Sequence, residues 1–253
     1  MRRPETRPRT EPMPFLLLLP NLVTMAGLSL GLTALRFAFA GRFEVAAILL
    51  LLAAVIDGLD GLIARRLRAT SAFGAELDSL SDFLNFGVVP GLLIYEFTLS
   101  GRTEGLGAGL SWVLVLVYVA CTCLRLARFN VARATPAPGG KPFFTGVPSP
   151  AGAMLALLPL FADHAGLVDV TQQPLASALW LGLVGALMIS RIPTFSPKSL
   201  RIAQGRVGLV LLGTTILMGM LFTRFWLTLV VLDLVYGAMI LQTVVRRRGR
   251  DLG

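Results

Sequence analysis

Histidine and cysteine are almost missing from this chain. His164 is the single histidine in 253 residues, and the only thiols are Cys121 and Cys123. Two residues apart on a helix, the thiols point to different faces and form no CxxC. Neither a zinc site nor a disulfide framework therefore has support, and both cysteines read as small core residues. With no Ser–His or Cys–His pair, a covalent intermediate on a nucleophilic side chain is disfavoured. Charge is scarce too: Asp, Glu, Lys and Arg make up 15% of the chain, where a soluble protein carries about 25%. Acids are the rarer sign, 14 against 23 Lys and Arg. No internal repeat and no Pro/Gly linker divides the chain, so it reads as one bundle.

What is abundant is apolar. Hydrophobic residues occupy 55% of positions and the mean hydropathy is +0.75. They come in long blocks, and crossing about 30 Å of hydrocarbon takes roughly 20 apolar residues. The blocks predict an all-α, polytopic membrane helix bundle of about eight transmembrane helices. The expected spans are 17–40, 43–64, 81–99, 108–130, 150–166, 175–192, 207–223 and 225–245. Residues 1–14 read as a disordered basic tail, 15–245 as the membrane domain and 246–253 as a basic C-terminal tail. The Arg-rich start, the apolar run and Ala38-Phe39-Ala40 mimic a secretory signal. The run exceeds the 7–15 residues of an ordinary signal core, however, which argues against cleavage.

The net charge of +9 would in a soluble protein suggest nucleic acid. Here the bases alternate by loop. Apart from Arg36, Arg42, Arg102 and Arg224, every Lys and Arg falls in the two tails or near the second-to-third, fourth-to-fifth and sixth-to-seventh connections. That is the positive-inside pattern, and it also suits anionic headgroups. It predicts eight spans with both termini cytoplasmic, membrane lipid as the partner, and no nucleic acid.

The informative stretch is Asp57 to Asp82, DGLDGLIARRLRATSAFGAELDSLSD. Asp57, Asp60, Gly61 and Ala64 fall at i, i+3, i+4 and i+7 and share one helix face. Gly74, Asp78 and Asp82 fall at i, i+4 and i+8 on the next, with Thr70 and Ser71 in a basic turn between. Four carboxylates would thus cluster at the cytoplasmic end of two spans. Acids near hydrocarbon are costly and repel one another. Only Arg65 is placed to offset them, which leaves about three negative charges in excess. Divalent cations remedy this: carboxylate oxygens suit Mg²⁺, Mn²⁺ or Ca²⁺, and a pair of such ions can clamp a phosphoryl group. Gly61, Ala64 and Gly74 would let a nucleotide or a neighbouring helix approach the backbone. A cation transporter, the rival class, would spread its acids through the bilayer depth; these cluster at one face.

The pattern Asp57-x2-Asp60-Gly61-x2-Ala64-Arg65-x8-Gly74-x3-Asp78-x3-Asp82 resembles the complete signature of the CDP-alcohol phosphotransferase family. The resemblance implies that Asp57, Asp60, Asp78 and Asp82 hold two divalent ions, Mg or Mn with Ca possible, and that Asp82 is the general base. It assigns Asp57, Gly61, Ala64, Arg65 and Gly74 to the CDP-lipid. Pro20-Asn21-Leu22-Val23-Thr24 resembles the family's segment at the start of the first span, which adds Asn21 and Thr24 to that set; a bare reading of Asn21 would be a helix cap.

Other stretches resemble one subgroup, the membrane-embedded phosphatidylserine synthases of bacteria and archaea. They are Arg125-Leu126-Ala127-Arg128-Phe129-Asn130, Phe144 to Pro150, Asp82 to Pro90, and Met188 to Pro193 with Phe195 and Lys198. Asn85 departs from the subgroup, where Ser is commoner. The resemblance implies CDP-diacylglycerol as donor and L-serine as acceptor, with glycerol phosphate or inositol phosphate as the alternatives. It further implies a homodimer in the bacterial cytoplasmic membrane. Arg125 and Arg128, at i and i+3, could bind a carboxylate or phosphate; Asn130, Ser149, Arg191 and Lys198 complete the candidate acceptor set. The last two spans carry little specific signal.

Overall fold

In the membrane every backbone N–H and C=O must find a partner within its own segment, so long apolar runs become helices. The computed structural model describes residues 18–67, 71–101, 105–134, 146–190 and 207–248. Among these it has eight longer helical segments, one short 3₁₀ turn at Val170–Gln172 and no strand. They are α1 (Leu19–Phe39), α2 (Phe43–Leu67), α3 (Ala72–Leu99), α4 (Gly105–Ala134), α5 (Ser149–His164), α6 (Pro174–Ile189), α7 (Val207–Thr223) and α8 (Phe225–Arg248). Residues 1–17 and 249–253, with Thr70, Phe144, Arg191 and Lys198, lie outside the described residues, while 246–248, expected as the start of the C-terminal tail, close α8.

Five helices are long and apolar enough to cross a membrane: α1, α2, α3, α4 over Gly107–Ala132, and α8 over Phe225–Val245. α5 and α6 have 16 residues each, about 24 Å at 1.5 Å per residue, short of the hydrocarbon thickness. The chain is a multi-pass integral membrane protein. Among the described residues span length supports five of the eight expected spans.

The largest departure from the sequence expectation is α3, which starts at Ala72 where hydropathy placed a span from 81. Ser71 is its N-cap, accepting a 3.0 Å hydrogen bond from Gly74 N. That cap starts the helix in polar sequence, so Gly74, Asp78 and Asp82 stand on one continuous helix. Two π-turns interrupt α3, at Leu84–Val88 and Tyr95–Leu99.

α1 and α2 form a tight hairpin. Gly41 takes φ +72 at the turn, a conformation glycine adopts without strain. Small residues line the contact: Gly27, Ala34 and Ala38 on α1 pack with Ala46, Ala47 and Ala53 on α2, beside Leu50. In lipid, where apolar burial between helices gains little, such close approach supplies the packing. One apolar core cluster joins Ala34, Leu50, Leu93, Phe97, Leu160 and Leu229. A second joins Val115, Tyr118, Leu155, Leu181, Met188 and Ile240. α7 packs on α8, with its side chains exposed from 208 to 219.

One expectation is corrected: Cys121 is buried, but Cys123 is exposed. Two residues along a helix turn a side chain to the opposite face, so only one of the pair can belong to the core.

Candidate active site

α1 begins, α2 ends, α3 begins, α4 ends and α5 begins at the same end of the bundle. The aspartates are there. One carboxylate oxygen from each of Asp57, Asp60 and Asp78 lies within 4.8 Å of the others. Asp57 and Asp60 come from α2 one turn apart; Asp78 reaches them from α3 across the Ser71 turn. Asp82, a turn further along α3, is not part of this closest trio. Its carboxyl instead meets that of Asp57, with Asp78 and the Arg125 guanidinium within electrostatic reach. Asp57 Oδ1 and Asp82 Oδ1 are buried, with no hydrogen-bond partner among the described residues. Buried carboxylate oxygens lacking donors are costly unless a cation or proton supplies the missing charge. Three hard oxygen donors converging on one point suit a divalent cation.

Asp60 is nearly fully buried, at 4% exposure, and α1 holds it. Thr24 Oγ1 lies 2.6 Å from Asp60 Oδ2 and 3.1 Å from the Pro20 carbonyl oxygen. The sequence resemblance assigned Thr24 to the CDP-lipid; here its hydroxyl is engaged with the carboxylate and orients it. Asn21, one turn earlier, projects toward α3. A Cβ added to Gly74 would sit 2.8 Å from Asn21 Oδ1 and 3.1 Å from Ser71 Oγ. Gly74 therefore admits Asn21, and the two predicted nucleotide contacts line one place. The Arg65 side chain folds back along α2, with Nη1 3.6 Å from where a Gly61 Cβ would stand. Arg65 is exposed and Ala64 half-buried.

The acceptor candidates separate into two groups. Arg125 is buried, at 8% exposure, and donates a short hydrogen bond through Nη1 to Ser149 Oγ at the start of α5. Its Nε has no partner among the described residues. Arg125 lies within electrostatic reach of Asp82 and of Tyr236 on α8. Arg128 and Asn130 each hold a partner on a neighbouring helix. Arg128 Nη2 donates to the Ile189 carbonyl at 2.8 Å, where a cation suits the C-terminal end of α6. Asn130 Nδ2 donates to Ser79 Oγ at 2.8 Å and ties α4 to α3. Arg191 and Lys198 fall outside the described residues.

Three features had no role assigned from the sequence. Asn85 is fully buried one turn past Asp82. Its Oδ1 fills the space beside Gly31, where an added Cβ would collide with it. Tyr118 OH donates to the Phe86 carbonyl at 2.7 Å, inside the π-turn, a distortion that frequently marks functional sites. Asp233, on α8, is a buried acid at 4% exposure. Its signal was a lone carboxylate in an apolar run, which in a membrane segment is a functional hypothesis by default.

Residues 17–190 match the family model described as CDP-alcohol phosphatidyltransferase. Among curated relatives, a CDP-diacylglycerol–serine O-phosphatidyltransferase of Mycobacterium leprae is 40% identical over 193 residues, covering 74% of this chain and 61% of the relative. One from Helicobacter pylori (strain 26695) is 36% identical over 180 residues, 70% of this chain and 71% of the relative. An archaetidylserine synthase of Methanothermobacter thermautotrophicus is 38% identical over 138 residues, 54% of each chain. This chain thus spans about three fifths of the length of the Mycobacterium leprae relative.

Proposed function

This chain belongs to the CDP-alcohol phosphatidyltransferase family, and we propose that it transfers the phosphatidyl group of CDP-diacylglycerol to the hydroxyl of L-serine, giving phosphatidylserine and CMP. The observation that carries the reading is the meeting of Asp57, Asp60 and Asp78 within 4.8 Å of one another, beside Asp82. The relatives named for serine transfer support the choice of acceptor.

In this reading the acyl tails lie in lipid between helices. The CDP head occupies the site end of the bundle, with Asn21 and Gly74 on one side and Gly61, Ala64 and Arg65 on the other. Asp57, Asp60 and Asp78 would hold divalent metal, two ions of Mg²⁺ or Mn²⁺ with Ca²⁺ also compatible, and Asp82 would complete the set. Bound there, such ions neutralise the diphosphate and polarise the phosphorus. Thr24 fixes the Asp60 carboxylate in its ligating direction. Asp82 takes the serine hydroxyl proton as that oxygen bonds to the lipid-linked phosphorus. The bond from this phosphorus to the bridging diphosphate oxygen breaks, and CMP leaves with the electron pair. Asp82 must stand within hydrogen-bond range of the hydroxyl, directly or through a water. Arg125, held by Ser149, is the partner for the acceptor's carboxylate. The basic loops support a cytoplasm-facing site in a bacterial cytoplasmic membrane, with eight spans and both termini on that side, and the family resemblance supports a homodimer.

The test is CMP release by the purified protein supplied with CDP-diacylglycerol and, in turn, L-serine, glycerol phosphate and inositol phosphate. Serine-dependent release is expected. Release only with a phosphorylated acceptor would replace the serine reading within the same family. Release with none would remove the enzymatic reading.

A further inference from the structure

Tyr118 on α4 is fully buried, at 0% exposure, where a phenylalanine ring would fill the same space without a polar atom. A buried hydroxyl is costly unless it is bonded, and this one donates to the Phe86 carbonyl at 2.7 Å. Phe86 lies in the π-turn Leu84–Val88, which begins two residues after Asp82. A π-turn lengthens the backbone bonds from four residues to five, as in the bond from Val89 N to Leu84 O. Where the step changes, a carbonyl loses its regular donor, and a hydroxyl held inside the turn offsets such a loss.

The π-turn also sets an angle. It spans one residue more than an α-turn, so at 3.6 residues per turn it rotates the helix before it against the helix after it by about 100°. The part of α3 before the turn carries Gly74, Asp78 and Asp82. The part after it carries Val89 and Leu93, both fixed in the core cluster shared with α1 and α2. With that lower part seated, the turn decides where Asp82 points.

The face of α4 that grips the turn is the one that reaches the site. Tyr118, Thr122 and Arg125 stand at i, i+4 and i+7, on one side of the helix. A Cβ added to Gly87, inside the π-turn, would lie 3.1 Å from Thr122 Cγ2, so α4 and α3 touch closely there. Arg125, about one turn beyond Thr122, is within electrostatic reach of Asp82. On the other side Asn85, in the same turn, fills the space beside Gly31 of α1. The turn is clamped between α1 and α4.

We propose that Tyr118 is a positioning residue for the base: its bond to the Phe86 carbonyl fixes the π-turn, and the π-turn aims Asp82 into the site. Tyr118 itself touches no substrate. The inference rests on Asp82 acting as base in the transfer proposed above, whichever acceptor is used.

The test uses the full-length protein in lipid nanodiscs. CMP release is measured with the acceptor that supports wild-type turnover, and is expressed per molecule able to bind CDP-diacylglycerol. Tyr118→Phe removes only the hydroxyl. Its kcat should fall about tenfold to a hundredfold, the scale for a misplaced catalytic group, with the KM for both substrates unchanged. In an Asp82→Asn background the same change should cost nothing further, because the phenol acts through the base. Gly87→Ala, which pushes against Thr122, should give the same pattern and serves if Tyr118→Phe does not fold. Three results overturn the proposal and leave the serine reading intact: normal turnover per binding molecule with only a lowered unfolding temperature, a loss just as large in the Asp82→Asn background, or Asp82→Asn at a near-normal rate. Wild type that releases CMP with no acceptor overturns both.

Discussion

The Thr24 hydroxyl on α1 lies 2.6 Å from the Asp60 carboxylate on α2, and both residues are buried. This bond ties the first helix to the candidate metal site, the Asp57, Asp60 and Asp78 cluster. Groups that orient a ligating carboxylate are commonly worth 10–100-fold in metal affinity or activity. Thr24→Val keeps the shape and removes the donor. The half-saturating Mg²⁺ or Mn²⁺ concentration for CMP release should rise by about tenfold. An unchanged metal titration would mean that Asp60 needs no such support.

Asp82→Asn should retain CDP-lipid binding and lose most turnover, because an amide cannot accept the hydroxyl proton. Binding of radiolabelled CDP-diacylglycerol, measured beside CMP release, separates the two effects. A variant with a near-normal rate removes Asp82 from the role of base.

Chelation should abolish CMP release, and added Mg²⁺ or Mn²⁺ should restore it, since Asp57, Asp60 and Asp78 crowd three carboxylates together. Activity that survives exhaustive chelation would rule out metal at this site.

Gly31 and Asn85 should behave as a pair. Gly31→Ala places a methyl group against Asn85 Oδ1, and overpacking of this kind costs about 1–3 kcal/mol. Combining it with Asn85→Ser opens the space, so the double variant should be more thermostable than Gly31→Ala alone. Additive losses in the double-mutant cycle would show that the two sites do not share that space.

Arg128→Ala should cost stability and leave acceptor affinity alone. Its guanidinium caps the end of α6 through the Ile189 carbonyl, an arrangement worth about 1 kcal/mol. Thermal unfolding should shift downward while the serine KM holds. A raised KM with unchanged unfolding would return Arg128 to the acceptor site.

Much of the architecture was legible because helical periodicity is local. The blocks that became α1, α2, α4 and α8 declared themselves by apolar length. The spacing of Asp57 and Asp60, and of Gly74, Asp78 and Asp82, places each set on one helix face. Hydropathy misjudged the start of α3, since it reads polar residues as loop and does not register the Ser71 cap that begins a helix there.

What the chain itself determined, then, is which segments are helical and which side chains share a face, because both depend on residues within a turn of one another. Which faces meet was decided only by packing. Thr24 and Asp60 are 36 positions apart and Arg125 and Ser149 are 24, and no local rule links them. The same holds for Arg125 and Arg128, a pair by spacing at i and i+3, which packing directs to different partners, Ser149 and the Ile189 carbonyl. It holds for α8 as well, whose Tyr236 comes within electrostatic reach of Arg125 only once that helix is packed in the bundle.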